Sequence, residues 1–308
     1  MTKYVLSIDG GGIRGIIPAI VLAEIERRTK KTISQIFNLM AGTSTGGIIA
    51  AALCKKTEEG KSQYYANDCV NLYQEYGSYI FDSSPIKKLI SWVDDAEYSN
   101  KNIEYMLDQY FGDSTIANVT NNLLLTSYDI YNCCPFLFKS WKEDSNFIKL
   151  QDALRATTAA PSYFIPKSLK IDEIDRVLVD GGVFANNPAT CAYADSKKLF
   201  PNDNIVILSI GTGMTKDPIT YASSEEFGKV TWVKHLLNIL YSSESDSTDY
   251  QLNEIMNNRY IRIQSQLKIA SHALDDVTPQ NIQNLKQEAQ IMIESNQKAI
   301  DDFCQIVT

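Results

Sequence analysis

Histidine is scarce in this chain: its 308 residues include two, His235 and His272, too few for a histidine-rich metal site. The six cysteines (Cys54, Cys69, Cys133, Cys134, Cys191 and Cys304) contain no Cys-x-x-Cys spacing, and the adjacent Cys133 and Cys134 do not resemble a zinc pair. Reduced thiols in a cytosolic compartment are the simpler expectation. No EF-hand loop is present, and neither a metal nor a cofactor is expected. Basic charge is also short. Lys and Arg number 29 against 37 Asp and Glu, a net charge of −8. That balance argues against nucleic acid as the main partner, because neutralising phosphates requires a basic surface. No polybasic patch is available for anionic lipid headgroups. No apolar run reaches bilayer-spanning length. Met1-Thr2-Lys3 enters a strand pattern with no secretory n-region or h-region. The expected location is therefore cytoplasmic, with any export by a route that needs no signal peptide. No Pro/Gly/Ser-rich linker, charge block or repeat divides residues 1–308, which read as one domain with globular composition.

What the chain does have is glycine at three strand ends. Gly42-Thr43-Ser44-Thr45-Gly46 separates an apolar strand-like run, 36–41, from a helix-like run, 47–54. A serine with glycine two residues to either side suits a sharp strand-to-helix turn, where the missing side chains let neighbouring backbone pass close. The following helix contributes free N–H groups and a positive dipole end, both useful beside a developing oxyanion. Ser44 is thus a candidate nucleophile, with Gly42 and Gly46 supporting its turn.

Tyr4–Ile8 reads as a buried strand running into Asp9-Gly10-Gly11-Gly12-Ile13-Arg14-Gly15, and a helix with apolar residues Ile17, Ile20, Val21 and Ile25 follows. Gly10-x-Gly12-x-x-Gly15 also fits a dinucleotide fingerprint. That reading requires an acidic residue about twenty positions on, and none lies between Glu26 and Glu58. An oxyanion-binding loop facing Ser44 accounts for both glycine turns with one chemistry. Arg176–Asp180 is a third strand, ending in a carboxylate before Gly181 and Gly182, where a parallel sheet would present a base. The plainer role for Asp180 is an Asx-type cap of its own loop.

Elsewhere, strands are expected at 122–130, 136–140, 204–210 and 260–264 and a helix at 150–160, with Asn187 and Pro188 opening another. Thr278 and Pro279 open a long amphipathic helix whose apolar stripe, including Leu285, Ala289, Met292 and Phe303, reads as a core face. Aromatic residues at 73–92 read first as core and second as a wall for acyl chains. The polar stretch 242–249 reads as exposed and mobile, and 82–100 and 215–249 are candidate mobile covers.

Taken together, the blocks at 9–15, 42–46 and 180–182, with Thr158–Phe164, Leu208–Gly213 and the stretch around Trp232, resemble the patatin-like phospholipase family over nearly the whole chain. The third block ends in Gly182 where many relatives carry alanine. This resemblance implies a three-layer αβα sandwich with a mostly parallel central sheet, and a Ser-Asp dyad of Ser44 and Asp180. Gly10, Gly11, Gly12 and Arg14 would surround the oxyanion, with Gly15, Gly42, Gly46, Gly181 and Gly182 in support. The implied activity is hydrolysis of acyl-lipid esters, phospholipids included, through an acyl-enzyme and transient contact with a membrane surface. Two other readings stand beside it: a histidine-assisted triad using His235 or His272, and a storage or interaction protein on the same scaffold.

Overall fold

A computed structural model describes residues 1–81, 98–215 and 218–308. Among them, eight strands form one sheet: β1 (Thr2–Ile8), β2 (Leu39–Gly42), β3 (Asn122–Asp129), β4 (Cys134–Lys139), β5 (Lys167–Ile171), β6 (Ile174–Asp180), β7 (Asn204–Ile210) and β8 (Tyr260–Ile263). Their order is β5-β6-β3-β2-β1-β7-β8, with β4 also on β3. The five strands from β3 to β8 run parallel, and β4, β5 and β6 add antiparallel pairs at one side.

The helices used below are α1 (Ile16–Thr29), α2 (Ile33–Ile36), α3 (Thr45–Cys54), α4 (Ala66–Ile80), α5 (Asn100–Phe111), α6 (Leu150–Thr157), α7 (Gly182–Ala185), α8 (Ala189–Leu199), α9 (Tyr221–Glu225), α10 (Lys229–Met256), α11 (Pro279–Ser295) and α12 (Gln297–Val307). The central strands are apolar along their length because both faces are covered. On one face Leu6, Ile8 and Met40 pack with Ile17, Ile49, Leu285 and Phe303 from α1, α3, α11 and α12. On the other, Val5, Leu39 and Ala41 pack with Ala189, Ala192, Leu252 and Met256 from α8 and the end of α10. Helix, sheet and helix are therefore three layers.

Two expectations about the sheet are corrected. Asp180 ends a strand that runs antiparallel to β3, with Ser127 opposite Asp180. Strand β2 pairs with residues 122–125 of β3 and stops, while β3 continues to Asp129. The uncovered stretch of that edge is taken by β6, arriving from the opposite direction. No strand was expected at 167–171, yet β5 pairs with β6 through Asp172 and Glu173, whose φ values are 50° and 61°. Asn-Gly usually marks such a turn, so this hairpin carries no familiar signature.

The polar stretch 242–249 is the middle of α10, not a mobile connection, because its polar groups are bonded inward. Glu244 accepts from the Asn187 N–H at 2.8 Å, and Thr248 meets Thr190 at 2.8 Å. Of the candidate covers, residues 82–97 and 216–217 lie outside the described residues, and Trp92 with them. The long C-terminal helix is two. Asn296 breaks it by turning its side-chain amide onto the carbonyls of Met292 and Gln264, at 2.9 and 3.2 Å. Its apolar stripe packs into the core as expected.

Candidate functional site

At the C-terminal end of β2 the chain reverses into α3 with Ser44 at φ 54° and ψ −123°, a conformation that costs a residue with a Cβ. The Thr157 hydroxyl holds this turn by accepting the Ser44 N–H at 2.9 Å. The two flanking glycines are dictated by close backbone. A methyl on Gly42 would fall on the Gly46 carbonyl, and one on Gly46 on the Ile8 and Asp9 carbonyls. Neither neighbour is a flexible side chain. Gly46→Ala is accordingly expected to destabilise the fold by the upper end of about 1–3 kcal/mol or more, read from urea or thermal melts against wild type.

Asp180 reaches the same place from β6. In register, Gly42 of β2 lies opposite Leu125 and Asp180 of β6 opposite Ser127, so the two strand ends face each other along β3 with only Thr126 between. Thr126 fills that gap with a 2.7 Å hydrogen bond to Thr43. A side chain on Gly181 would strike Thr126, which accounts for the glycine after the acid. Asp180 accepts the Gly182 N–H at 2.7 Å, the Asx turn anticipated above, and lies close enough to the Ser44 side chain for it to favour the carboxylate. The cap and the approach to serine are compatible. Asp180 is buried, and that desolvation pushes its carboxyl up to about 7, against the lowering effect of the Ser44 side chain and of its bond to Gly182.

Both side chains open into a cavity of about 60 Å³ that Gly11 and Gly12 also line. Its walls are apolar: Ile48, Ile80, Phe81, Ile103 and Phe164 among them. Phe81 packs on Tyr98 and Phe164 with ring centroids 5.4 and 6.2 Å apart, so the aromatic stretch supplies core and cavity wall at once.

The glycine loop divides its work. The Gly10 N–H donates to the Asn186 carbonyl at 3.1 Å, so it is not available to an oxyanion as the sequence suggested. Among the described residues no backbone carbonyl takes the N–H of Gly11 or Gly12. Gly15 supports the loop from behind, since a side chain there would meet Thr45 and Tyr73. Arg14 does not line this cavity. It faces an adjoining polar one, with its Nε buried and without a hydrogen-bond partner, and burial lowers its guanidinium to about 10.

Polar side chains tie together the strand ends beneath the loop. Asn187 Oδ1 accepts from Ser7 and Ser209, each at 3.2 Å, and from the Ala189 N–H at 3.1 Å. Its helix therefore starts one residue later than expected. Asp9, just before the glycines, is paired with Arg262 of β8 at 2.8 and 2.5 Å. Thr157, Asn186, Tyr241 and Arg262 all belong to the site's surroundings, and only their place in the fold identifies them. Neither histidine lines the cavity: His235 stacks on Phe227 in α10, ring centroids 4.8 Å apart, and His272 lies in the connection between β8 and α11.

Comparison with known proteins adds three observations. The family model described as "Patatin-like phospholipase" matches residues 6–193. Patatin-like protein 2 of Arabidopsis thaliana is 29% identical over 91% of this chain and 79% of its own length, and Patatin-T5 of Solanum tuberosum 29% identical over 95% and 84%. Among solved structures, VipD from Legionella pneumophila is similar at a TM-score of 0.48 and 11% identity, covering 95% of this chain and 67% of that one.

Proposed function

Because this chain belongs to the patatin-like phospholipase family, we propose that it hydrolyses acyl-lipid esters with Ser44 as nucleophile and Asp180 as its base. The observation that carries this reading is that Ser44 and the buried Asp180 line one apolar cavity together with Gly11 and Gly12. Ser44 Oγ attacks the ester carbonyl carbon while its proton passes to Asp180. The negative charge that develops on the carbonyl oxygen is held by the Gly11 and Gly12 N–H groups. One such donor is worth roughly 3 kcal/mol in the transition state. Collapse expels the alcohol, which takes the proton from Asp180, and leaves an acyl-enzyme. Water then repeats the sequence and frees the fatty acid. A carboxyl of ordinary acidity is a weak base for an alcohol, and burial of Asp180 corrects that by raising its proton affinity.

A stoichiometric fluorophosphonate adduct on the peptide containing Ser44 tests this directly. Folded protein that takes up no adduct, or carries it on another residue, would leave the reading without its nucleophile. A histidine-assisted mechanism is tested by His235→Ala and His272→Ala, each expected to retain turnover within about threefold of wild type.

The same proposal covers residues 1–308 as one domain, supported by an apolar cluster that joins residues from Leu6 to Val307. It includes transient contact with a lipid surface. No helix among the described residues is long and apolar enough to cross a membrane. Helix α10, however, exposes Trp232, Leu236, Ile239 and Leu240 by 38–48%, a stripe at helical spacing that ends beside Tyr241 in the cavity wall. Lipid meeting this stripe is adjacent to Ser44.

A further inference from the structure

The polar cavity beside the Ser44 cavity has a volume of about 220 Å³, and Asn186 and Tyr241 line both. Asp9, Asn186 and Thr212 in its wall are buried, whereas Ser242 and Asp246 are exposed, so the cavity runs inward from solvent. Asp9 is neutralised by Arg262 in a two-point pair, and the rest of the wall is hydroxyls, amides and charges of both signs. A water molecule needs roughly 10–15 Å³ of such space and two or more polar partners. This cavity offers both several times over.

At the inner end, glycines leave little between this cavity and the pair of Ser44 and Asp180. A methyl built on Gly182 would lie 3.0 Å from the Tyr241 ring and 3.1 Å from Asp180 Oδ1, and one built on Gly10 would lie 2.6 Å from Asn186 Oδ1 and 3.3 Å from Ser44 Cβ. Tyr241 thus faces the acid and Asn186 the serine, each across the space of one missing side chain. The Tyr241 hydroxyl is buried and has no hydrogen-bond partner among the described residues, and Asn186 Nδ2 donates to Ser245 at 3.3 Å, long for such a bond. The Ser44 cavity is different in kind: about 60 Å³, with Ile48, Ile80, Ile103 and Phe164 in its walls. An acyl group attached to Ser44 would occupy that space, and apolar walls give water nothing to bond to.

Building on the acyl-hydrolase reading above, we propose that the polar cavity admits the water that hydrolyses the acyl-enzyme, and that Asn186 and Tyr241 hand it from one cavity to the other. The water oxygen bonds to the acyl carbonyl carbon while one of its protons goes to Asp180. The bond from that carbon to Oγ then breaks, Ser44 recovers the proton from Asp180, and the fatty acid leaves. Lipid and water reach the serine from different sides. Lipid comes past the exposed apolar stripe that ends at Leu240, and water past the exposed polar residues Ser242 and Asp246. A molecule seated on a lipid surface by the stripe keeps a wet entrance.

The test measures how the acyl-enzyme divides between water and a competing alcohol. The full chain is given p-nitrophenyl decanoate in nonionic detergent micelles with 1-octanol, which enters with the lipid, and mass spectrometry follows decanoic acid and octyl decanoate. Their ratio reads the two attacks on the acyl-enzyme, whichever step limits turnover. Ser245→Met puts a longer side chain into the polar cavity and is expected to raise the ester-to-acid ratio by at least about fivefold. Its labelling rate with a fluorophosphonate, which needs no water, is expected to stay within about twofold of wild type. Ser245→Ala loses the same bond to Asn186 without filling the cavity and is expected to keep the wild-type ratio. Tyr241→Phe removes only the hydroxyl and is expected to raise the ratio by about twofold or more. An unchanged ratio in folded Ser245→Met, or an equal rise in Ser245→Ala, overturns the water route and leaves the hydrolase reading intact. If Ser245→Met does not fold, an unchanged ratio in Tyr241→Phe does the same. A higher KM for the ester in Ser245→Met at an unchanged ratio assigns the cavity to substrate and overturns the route as well. Wild type that releases no decanoic acid removes the hydrolase reading, and the route with it.

Discussion

Ser44→Ala is expected to fold like wild type and to lose acyl-ester turnover by roughly 10⁴-fold or more. The size of the loss follows from the role: without Oγ no covalent intermediate forms, and what remains is binding and the donors of the glycine loop. That the fold survives follows from the backbone. Alanine keeps the Cβ that serine already accommodates at φ 54°, and the Thr157 hydroxyl still holds the amide of residue 44. Ser44→Gly separates chemistry from conformation. Glycine relieves a strained position worth about 1–3 kcal/mol, so this variant is expected to be equally inactive yet to melt higher than Ser44→Ala. Product analysis with a defined lipid panel and thermal melts of both variants read the two effects. Turnover by folded Ser44→Ala above about one hundredth of wild type would remove Ser44 from the mechanism.

Asp180→Asn should abolish most turnover while making the protein more stable in mild alkali. Burial raises this carboxyl from 3.8 to about 7, so the folded state holds a proton that the unfolded chain has already released. Between about pH 4 and 7 the folded state binds more protons, and stability therefore falls as pH rises through that window. The full difference approaches about 4 kcal/mol, at 1.36 kcal/mol per unit, taken as an order of magnitude. Asparagine has nothing to ionise and still accepts the Gly182 N–H. The variant should exceed wild type in stability at pH 8 and lose that advantage near pH 4. Glu244, which burial also raises to about 7, adds a slope in the same direction that the substitution leaves in place. In wild type, kcat/KM should climb with pH through about 7 as Asp180 becomes a competent base. Urea titrations at the two pH values, with a pH–rate profile, check both halves. Equal stabilities at pH 8 would show that Asp180 is not held against its preference to ionise.

The parts of this molecule that were legible in the sequence are those with local causes. β1 and β7 are apolar because both their faces are buried, and the turn at Ser44 has glycines because backbone crowds each of them. The direction of β6 was not legible, because it depends on β3 outrunning β2, a comparison between distant segments. Gly10 is equivalent to Gly11 and Gly12 in sequence, but in the fold the Asn186 carbonyl occupies its amide. Adjacency in sequence likewise suggests Arg14 as a companion of the oxyanion, whereas its side chain lines the next cavity. The middle of α10 has no signature in hydrophobic periodicity, because its polar residues are bonded inward to the Asn186-Asn187 turn.

The meeting of β2 and β6 end to end along β3 also has a meaning in time. During synthesis from the N-terminus, the proposed nucleophile at position 44 emerges long before the proposed base at 180 has been translated, and the edge of β3 that the 167–180 hairpin occupies has no partner until then. Under the proposed mechanism a nascent or prematurely terminated chain is harmless toward lipids. The capacity to cleave them cannot precede the docking of the hairpin onto β3.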